Sequence, residues 1–345
     1  NMPKNKVNNN IKLKSGGGLI NDANGLSVEF KSMFGGDGSD GVLNVTSGTT
    51  TLSLGGLTLK EFNYSSINIS AGATLTFSDA PPTGCLIFLK CKGACVIDGT
   101  ILTTGSGADG GAVVGANTAG NPGLSALSIY ELSTTAINFY GIGGLSNGVT
   151  YGGAGAGGYG GTGGTGGGAA GGSSTVKQYQ YTIGRGFIND RHITVLPGSG
   201  GGSGGVGNTN ATTLSKGGDG GGAIVIECAG SLTFTGTVNT SGENGGVYGT
   251  FNGTTGSGAY AGSGGGGGSA GTPILIYNTL ITNTGTLIAT GGNGGNGDVS
   301  HGGGAGHGGG GGAGLGGSGG NSSGTTGGTG GATGTPTWIF KNTTF

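Results

Sequence analysis

Short runs of alternating apolar and polar residues recur along the chain and predict β-strands. The densest runs lie at residues 42–45, 50–54, 57–59, 67–69 and 73–77, where Val, Ile, Leu and Thr dominate. β-branched side chains of this kind suit half-buried strands. We therefore predict an all-β chain without α-helix.

An internal repeat organises the predicted strands from residue 86 onwards. Residues 86–105, 223–242 and 272–291 align without gaps. Each unit predicts an apolar strand, a turn, a second strand with a Gly-Thr-apolar triplet, and an exit into glycine-rich sequence. The aligned positions are Leu89, Ile226 and Leu275; Cys91, Cys228 and Tyr277; and Val96, Thr233 and Thr282. We assign the structural repeat role to Gly99, Thr100, Gly236, Thr237, Gly285 and Thr286.

Glycine makes up 96 of the 345 residues and is concentrated in tracts at residues 152–172, 198–222, 256–271 and 291–334. Such tracts are either flexible linkers or extended helices with three residues per turn that pack side by side. Residues 160–168 (GGTGGTGGG) and 291–297 (GGNGGNG) keep a three-residue period. Because every repeat unit meets glycine-rich sequence at an equivalent strand end, the pattern favours an ordered bundle.

The predicted fold class therefore combines repeated β-strand units, β-helix-like or sandwich-like, with packed polyglycine II helices. Four segments follow from the changes in composition. They are an N-terminal segment for attachment or oligomerisation (1–33), a β-rich domain (34–112), a glycine-rich domain with inserted loops (113–334) and a C-terminal strand (335–345). Residues 10–30 fit equally well two hairpins or a fibre-shaft repeat that buries its apolar face between three chains, which would indicate a homo-oligomer, specifically a trimer.

Three inserts, residues 117–151, 173–197 and 243–251, interrupt the glycine pattern with large side chains. Loops on a rigid scaffold often carry recognition, and Tyr and Arg are enriched at binding surfaces. The alternative is that these aromatic side chains only pack the inserts onto the scaffold. The candidate receptor-binding residues are Tyr179, Tyr181, Arg185, Phe187, Arg191, His192, Tyr130, Tyr140, Tyr248 and Phe251.

Charge and motifs argue against several function classes. The net charge is −1 and only 8% of residues are charged, so we expect no nucleic-acid partner. No apolar run is long enough for a membrane helix, and no signal peptide is visible, so a surface location would require processing or another export route such as virion assembly. The spacing of the four cysteines fits no zinc pattern, and we read them as core residues with a disulfide left open. We predict no metal, no cofactor and no catalytic residue.

The order of motifs resembles a phage family. FGGDGSDG (34–41), LNVTSGTTTL (43–52), INISAGATLTF (67–77) and the strand–Gly-Thr–strand–polyglycine units are similar to glycine-rich phage tail-fibre and receptor-binding proteins. The tracts and inserts also resemble the tip adhesins of T-even-like phages, although here β repeats are interleaved with the glycine. The resemblance implies a virion-surface, non-enzymatic adhesin whose inserts bind a host cell-surface glycan or protein, with the N-terminal segment joining other virion subunits.

Two other functions remain open. A structural subunit of a microbial surface layer or extracellular filament would use the glycine tracts for lateral assembly. An ice-binding protein would present ordered rows of Thr and Asn.

Overall fold

The computed structural model describes residues 19–22, 25–28, 34–112, 123, 197–204, 215–247, 264–297, 326, 329–330 and 339–341, the first two ranges by backbone alone. These residues form fifteen β-strands. The strands are β1 Leu19–Asp22, β2 Gly25–Val28, β3 Val42–Val45, β4 Thr49–Ser53, β5 Leu59–Tyr64, β6 Ser66–Ile69, β7 Thr74–Ser78, β8 Leu86–Cys91, β9 Cys95–Ile97, β10 Thr100–Leu102, β11 Ala223–Phe234, β12 Thr237–Asn239, β13 Pro273–Asn283, β14 Thr286–Ile288 and β15 Ile339–Lys341.

No helix occurs in the part of the chain that the structure describes, which agrees with the predicted all-β class. It follows that nothing in these ranges qualifies as an apolar helix of membrane-spanning length. The strands β1 and β2 form an antiparallel hairpin, whereas every other strand pair among the described residues is parallel.

The parallel pairs fall into three rows. The first row contains β3, β6, β9 and the C-terminal parts of β11 and β13. The second row contains β4, β7, β10, β12 and β14. The third row contains β5, β8, the N-terminal parts of β11 and β13, and β15. Along the chain the strands visit the three rows in turn.

Alternate side chains of all three rows point into one shared hydrophobic core. Each row supplies a ladder of buried residues, such as Ile67, Leu75 and Leu89. Parallel sheets are stable when apolar side chains cover their faces, because burial of apolar surface is the main favourable term in folding. The three rows are therefore held together through their inward faces.

The strand register agrees with the repeat alignment. Leu89 pairs with Ile226 and Ile226 with Leu275, while Thr100 pairs with Thr237 and Thr237 with Thr286. The same threonine row continues to Thr74 and Thr49 on β7 and β4. The repeat seen in the sequence is therefore a set of stacked, in-register strands.

Two local predictions differ from the structure. Residues 57–59 are not a strand of their own, because Gly55 and Gly56 turn the chain with positive φ angles of 62° and 70° and β5 begins only at Leu59. The turn predicted inside each repeat unit occurs only in the first unit, between β8 and β9. In the later units β11 and β13 continue through it, with register shifts between Cys228 and Thr233.

A second apolar cluster covers the outward side of the third row. It contains Phe34, Leu86, Ala223, Val225, Ile274 and Ile276. The segment after Phe34 crosses this surface, and the Gly35 N–H donates to Glu227 Oε2 at 3.0 Å. Glu227 is only 3% exposed, and burial raises the pKa of its carboxyl group.

Six glycine-rich tracts lie beside the strands, and we number them by chain order. Tract 1 is residues 105–111, tract 2 is 198–204, tract 3 is 215–222, tract 4 is 240–247, tract 5 is 264–271 and tract 6 is 290–297. Tracts 1, 4 and 6 follow the second-row strands β10, β12 and β14, while tracts 3 and 5 lead into β11 and β13. The tracts therefore leave and re-enter the rows at the same corner.

Backbone hydrogen bonds join the tracts with a three-residue period. In tract 3, Gly217 and Gly220 donate to tract 1, whereas Gly218 and Gly221 donate to tract 5. The remaining positions, Lys216 and Asp219, accept through their carbonyl groups from tract 4 and carry side chains. Each of three consecutive positions thus bonds to a different neighbour.

The direction of each tract follows from the same bonds. Bonds from Ala108 to Gly198 and from Gly111 to Gly201 make tracts 1 and 2 parallel. Tract 3 is antiparallel to tract 2, because residues later in tract 2 bond to residues earlier in tract 3. Gly198 donates to Gly221, while Gly204 donates to Ser215. Tracts 1, 2, 4 and 6 run away from the strands, and tracts 3 and 5 return to them.

Glycine is required in this bundle because neighbouring backbones leave no space for a Cβ atom. A Cβ on Gly268 would overlap the Asp219 carbonyl group, and a Cβ on Gly217 would overlap the Gly201 carbonyl group. Gly72 offers a contrast, since it has a positive φ of 78° but nothing within 4 Å of a built Cβ.

We predict that Gly268→Ala destabilises the protein far more than Gly72→Ala. Overlap with the backbone and loss of lateral hydrogen bonds should cost about 3 kcal/mol or more. At Gly72 only the left-handed conformation opposes alanine, at a cost of about 1–2 kcal/mol. Urea denaturation followed by circular dichroism measures both, and equal losses would contradict close contact between the tracts.

Candidate functional site

The ten candidate receptor-binding residues all lie outside the described residues. They are Tyr179, Tyr181, Arg185, Phe187, Arg191, His192, Tyr130, Tyr140, Tyr248 and Phe251. Their role stays a prediction, and the structure contributes the places where the described chain meets the three inserts.

The described chain meets the middle and third inserts at different ends of the tracts. Pro197, the last residue of the middle insert, lies against Gly84 near the strands. Residue 247 instead ends tract 4 at the far end of the bundle, which is the end away from the strands. The two inserts therefore do not join the scaffold at one common place.

The third insert starts later than its composition suggests. Glu243, Gly245 and Gly246 make the same lateral backbone bonds as the glycines before them, to Asp219, Asn293 and Lys216. Residues 243–247 consequently belong to tract 4. The side chains of Asn244 and Val247 are exposed, and that of Glu243 is partly exposed.

The repeated Gly-Thr triplets lie at the corner between the first and second rows. A Cβ on Gly99 would overlap the carbonyl groups of Ser70 and Ala73, and one on Gly236 would overlap the Gly99 carbonyl group. The threonine that follows each glycine starts a second-row strand. The close packing at this corner therefore explains the Gly-Thr triplet as a structural feature, and the arrangement assigns it no catalytic or binding role.

An open groove of about 400 Å³ lies between tracts 4 and 6 near the far end. The described residues that line it are Asn244, Gly245, Val247, Asn293, Gly294, Gly295, Asn296 and Thr329. The sequence contains a signal for part of this site, since Asn293 and Asn296 occupy the third positions of GGNGGNG. The pairing of this tract with Asn244 and Val247 is not encoded locally.

The groove walls are held by short hydrogen bonds. Gly245 N–H donates to the Asn293 carbonyl group at 2.8 Å, and Asn293 N–H donates to Asn244 Oδ1 at 2.8 Å. Gly330 N–H donates to Asn293 Oδ1 at 2.7 Å, and this bond orients the side-chain amide of Asn293. Two amide side chains therefore have defined orientations at the edge of the groove.

Charged groups lie on the other side of tract 4. Lys216 Nζ contacts Asp219 Oδ1 at 2.7 Å, and Gly110 N–H donates to Asp219 Oδ1 at 2.7 Å. Burial, followed by the Asp219 charge, raises the pKa of Asp109 and of Glu243, while Lys216 lowers both. The Gly110–Asp219 bond ties tract 1 to tract 3, whereas the Asp219 charge opposes ionisation of Asp109 and Glu243.

The four cysteines are free thiols buried in the core. Cys91 and Cys228 are in register on β8 and β11, as the repeat alignment places them. Burial raises the pKa of the Cys85 thiol to about 12, so this thiol stays protonated and unreactive at neutral pH. Within the described ranges, no three side chains of His, Cys, Asp or Glu are arranged to hold a metal ion.

No model of a known protein family, no curated protein and no solved structure matches this chain.

We predict opposite pH dependences for Glu243→Gln and Asp79→Asn. The raised pKa of Glu243 means that the folded state binds its proton more tightly than the unfolded state. Ionised Glu243 therefore destabilises the fold at neutral pH, and this cost disappears as the pH falls towards the ordinary glutamate value of 4.5. Glu243→Gln should gain stability relative to wild type at pH 7 and lose that advantage near pH 4.

Asp79 provides the comparison, because its pKa is shifted in the opposite direction. Hydrogen bonds from Ser53 and Ser78 lower its pKa below the ordinary 3.8. Its ionised form stabilises the fold above that value, and the contribution is lost as the pH falls through the lowered pKa. Asp79→Asn should weaken the protein at pH 7, and this effect should shrink as the pH falls below 3.8. Denaturation across pH would measure both variants, and a stability change of the same sign at pH 7 would contradict this assignment.

Proposed function

We propose that the protein is a non-enzymatic adhesin of a virion surface that binds a host cell-surface glycan or protein through loops inserted between polyglycine tracts. The observation that supports this proposal most is the set of six hydrogen-bonded glycine tracts beside a stack of parallel strands. A stiff framework of this kind can carry variable loops without changing its own structure.

Within the all-β class, the arrangement of the strands in three rows supports a β-helix. Strands that follow one another in sequence occupy the first, second and third rows in turn, and each returns in register beside the strand one circuit earlier. Such a circuit is the geometry of a parallel solenoid, in which each coil contacts only its neighbours.

The tracts support polyglycine II helices. This helix type has three residues per turn and makes no hydrogen bonds within itself, so its N–H and C=O groups need partners in neighbouring helices. The bonds of tract 3 to tracts 1, 4 and 5 follow this rule with the required period. Ordering glycine costs more conformational entropy than ordering other residues, and these lateral bonds offset part of that cost.

The tracts also explain how loops would be presented. Residues 205–214, 248–263 and 298–325 interrupt the described chain where tracts 2, 4 and 6 reach the far end. Residues 113–122 and 124–196, which hold all of the two larger inserts except Gly123 and Pro197, follow tract 1. We propose that these segments carry recognition and that the N-terminal segment joins other virion subunits, as a trimer.

A filament subunit is the second candidate, and one observation favours it. Val42 on β3 and Ile281 on β13 lie in the first and last described strands of the first row, and each is 64% exposed. Exposed apolar residues at open ends of a sheet favour end-to-end pairing of copies.

We predict that backbone amides in the tracts are protected from hydrogen exchange. In a polyglycine II bundle the amides of Gly218, Gly221 and Gly268 are buried in lateral bonds and exchange only after opening. Exchange measured by mass spectrometry should be slowed by orders of magnitude relative to a synthetic peptide of residues 264–271. Equal rates would show that the tracts are flexible linkers.

We predict that the combined substitutions Tyr181→Ala, Arg185→Ala and Arg191→Ala reduce adsorption to host cells at least tenfold. Removal of an aromatic and two guanidinium groups takes away the side-chain types that dominate binding energy at recognition surfaces. Lys92→Ala removes an exposed charge in the turn between β8 and β9 and is the control, which should adsorb normally.

Unchanged adsorption of the triple variant would remove the middle insert from the proposed function. Regular fibres of purified protein in the electron microscope, without adsorption to cells, would favour the filament subunit instead.

A further inference from the structure

We propose that the groove between tracts 4 and 6 binds an uncharged oligosaccharide. This inference deepens the proposed adhesin function, on which it rests for its biological setting, but the groove lies on the glycine tracts themselves and not on the inserts.

The two walls repeat in phase along the groove. Tracts 4 and 6 run in parallel, since Gly242 and Gly245 donate to the carbonyl groups of Thr290 and Asn293. Asn244 and Val247 are three residues apart on one wall, as are Asn293 and Asn296 on the other. At about 3.1 Å per residue, equivalent side chains recur about every 9 Å, which suits a chain-like ligand more than a compact one.

The hydrogen bonds already made decide what the amides offer to a ligand. Asn244 Oδ1 accepts from Asn293 N–H, and Asn293 Oδ1 accepts from Gly330 N–H. Each amide oxygen is thereby engaged, and within the described part of the chain neither NH₂ group makes a hydrogen bond, which leaves both as donors. The ligand must supply acceptors, as the hydroxyl, ring and acetamido oxygens of sugars do.

The lining also contains an apolar surface. Val247 is 60% exposed and lies beside the amides in the groove. Binding sites for small ligands combine apolar contact area with a few polar groups that fix orientation. The C–H faces of a sugar ring match the valine, while its oxygens match the asparagines.

Charge decides between sugar classes. None of the described lining residues is Asp, Glu, Lys, Arg or His. The charged residues Lys216, Asp219 and Glu243 lie on tracts 3 and 4, and none of these three lines the groove. Sulfated, phosphorylated or sialylated ligands would lose hydration without gaining a counter-charge, which is costly, so the groove favours neutral sugars.

The test uses purified full-length protein and immobilised oligosaccharides. The probes are uncharged oligomers of N-acetylglucosamine, mannose and galactose, together with sulfated and sialylated counterparts. We expect binding to at least one uncharged oligomer and none to its charged counterpart. Val247→Lys should weaken that binding at least tenfold, because it places a long charged side chain in the groove.

Two further variants keep the result interpretable. Ile281→Lys makes the same kind of change at a residue of similar exposure, 64% against 60%, on β13 outside the groove, and should bind as wild type does. Asn244→Asp keeps the acceptor for Asn293 N–H but loses the donor and adds charge, so it should lose binding while melting at a similar temperature.

Three outcomes would overturn the proposal: no binding to any uncharged oligomer, preference for charged sugars, or equal losses in Val247→Lys and Ile281→Lys. Cell adsorption separates this result from the adhesin proposal. If Val247→Lys adsorbs normally and the insert variant does not, the adhesin function is supported and the groove has no part in it. If Val247→Lys fails to adsorb and the insert variant adsorbs normally, the groove is supported and the middle insert is not.

Discussion

Close lateral contact between glycine backbones is the constraint on which the rest of the structure depends. Each tract exposes N–H and C=O groups that its own conformation cannot satisfy, and only a neighbour without a Cβ comes close enough to pair with them. A tract is therefore stable only as part of a set. This requirement explains why the glycine-rich sequence recurs in several places.

The strand rows provide that set by fixing where the tracts start and end. Tracts 1, 4 and 6 leave after strands that are in register, so they emerge one above another at strand spacing. Tract 3 bonds to tracts 1 and 4, tract 5 bonds to tracts 4 and 6, and both lead into third-row strands. The strand rows with their shared core and the bundle of backbone-bonded tracts thus stabilise each other at one corner.

Local pattern was sufficient for some of this architecture. Alternation of apolar residues located most strands, and the aligned units reproduced the register of Leu89, Ile226 and Leu275 because parallel stacking places equivalent residues side by side. The continuation of β11 through the predicted turn was missed, because Gly230 reads locally as a turn residue and only the contact with Gly93 explains it. The groove was missed for a similar reason, since Asn244 and Asn293 meet only through tract pairing.

The lateral hydrogen bonds of the tracts repeat every three residues, and this period also limits how the lengths of the tracts can change. In tract 3, consecutive residues face tracts 4, 1 and 5 in turn. Adding or removing one residue would shift every later position to a different neighbour and direct a side chain such as Asp219 at a backbone. Length variation within the bundle is therefore expected in steps of three residues, and other changes in length must be absorbed by the segments between the tracts.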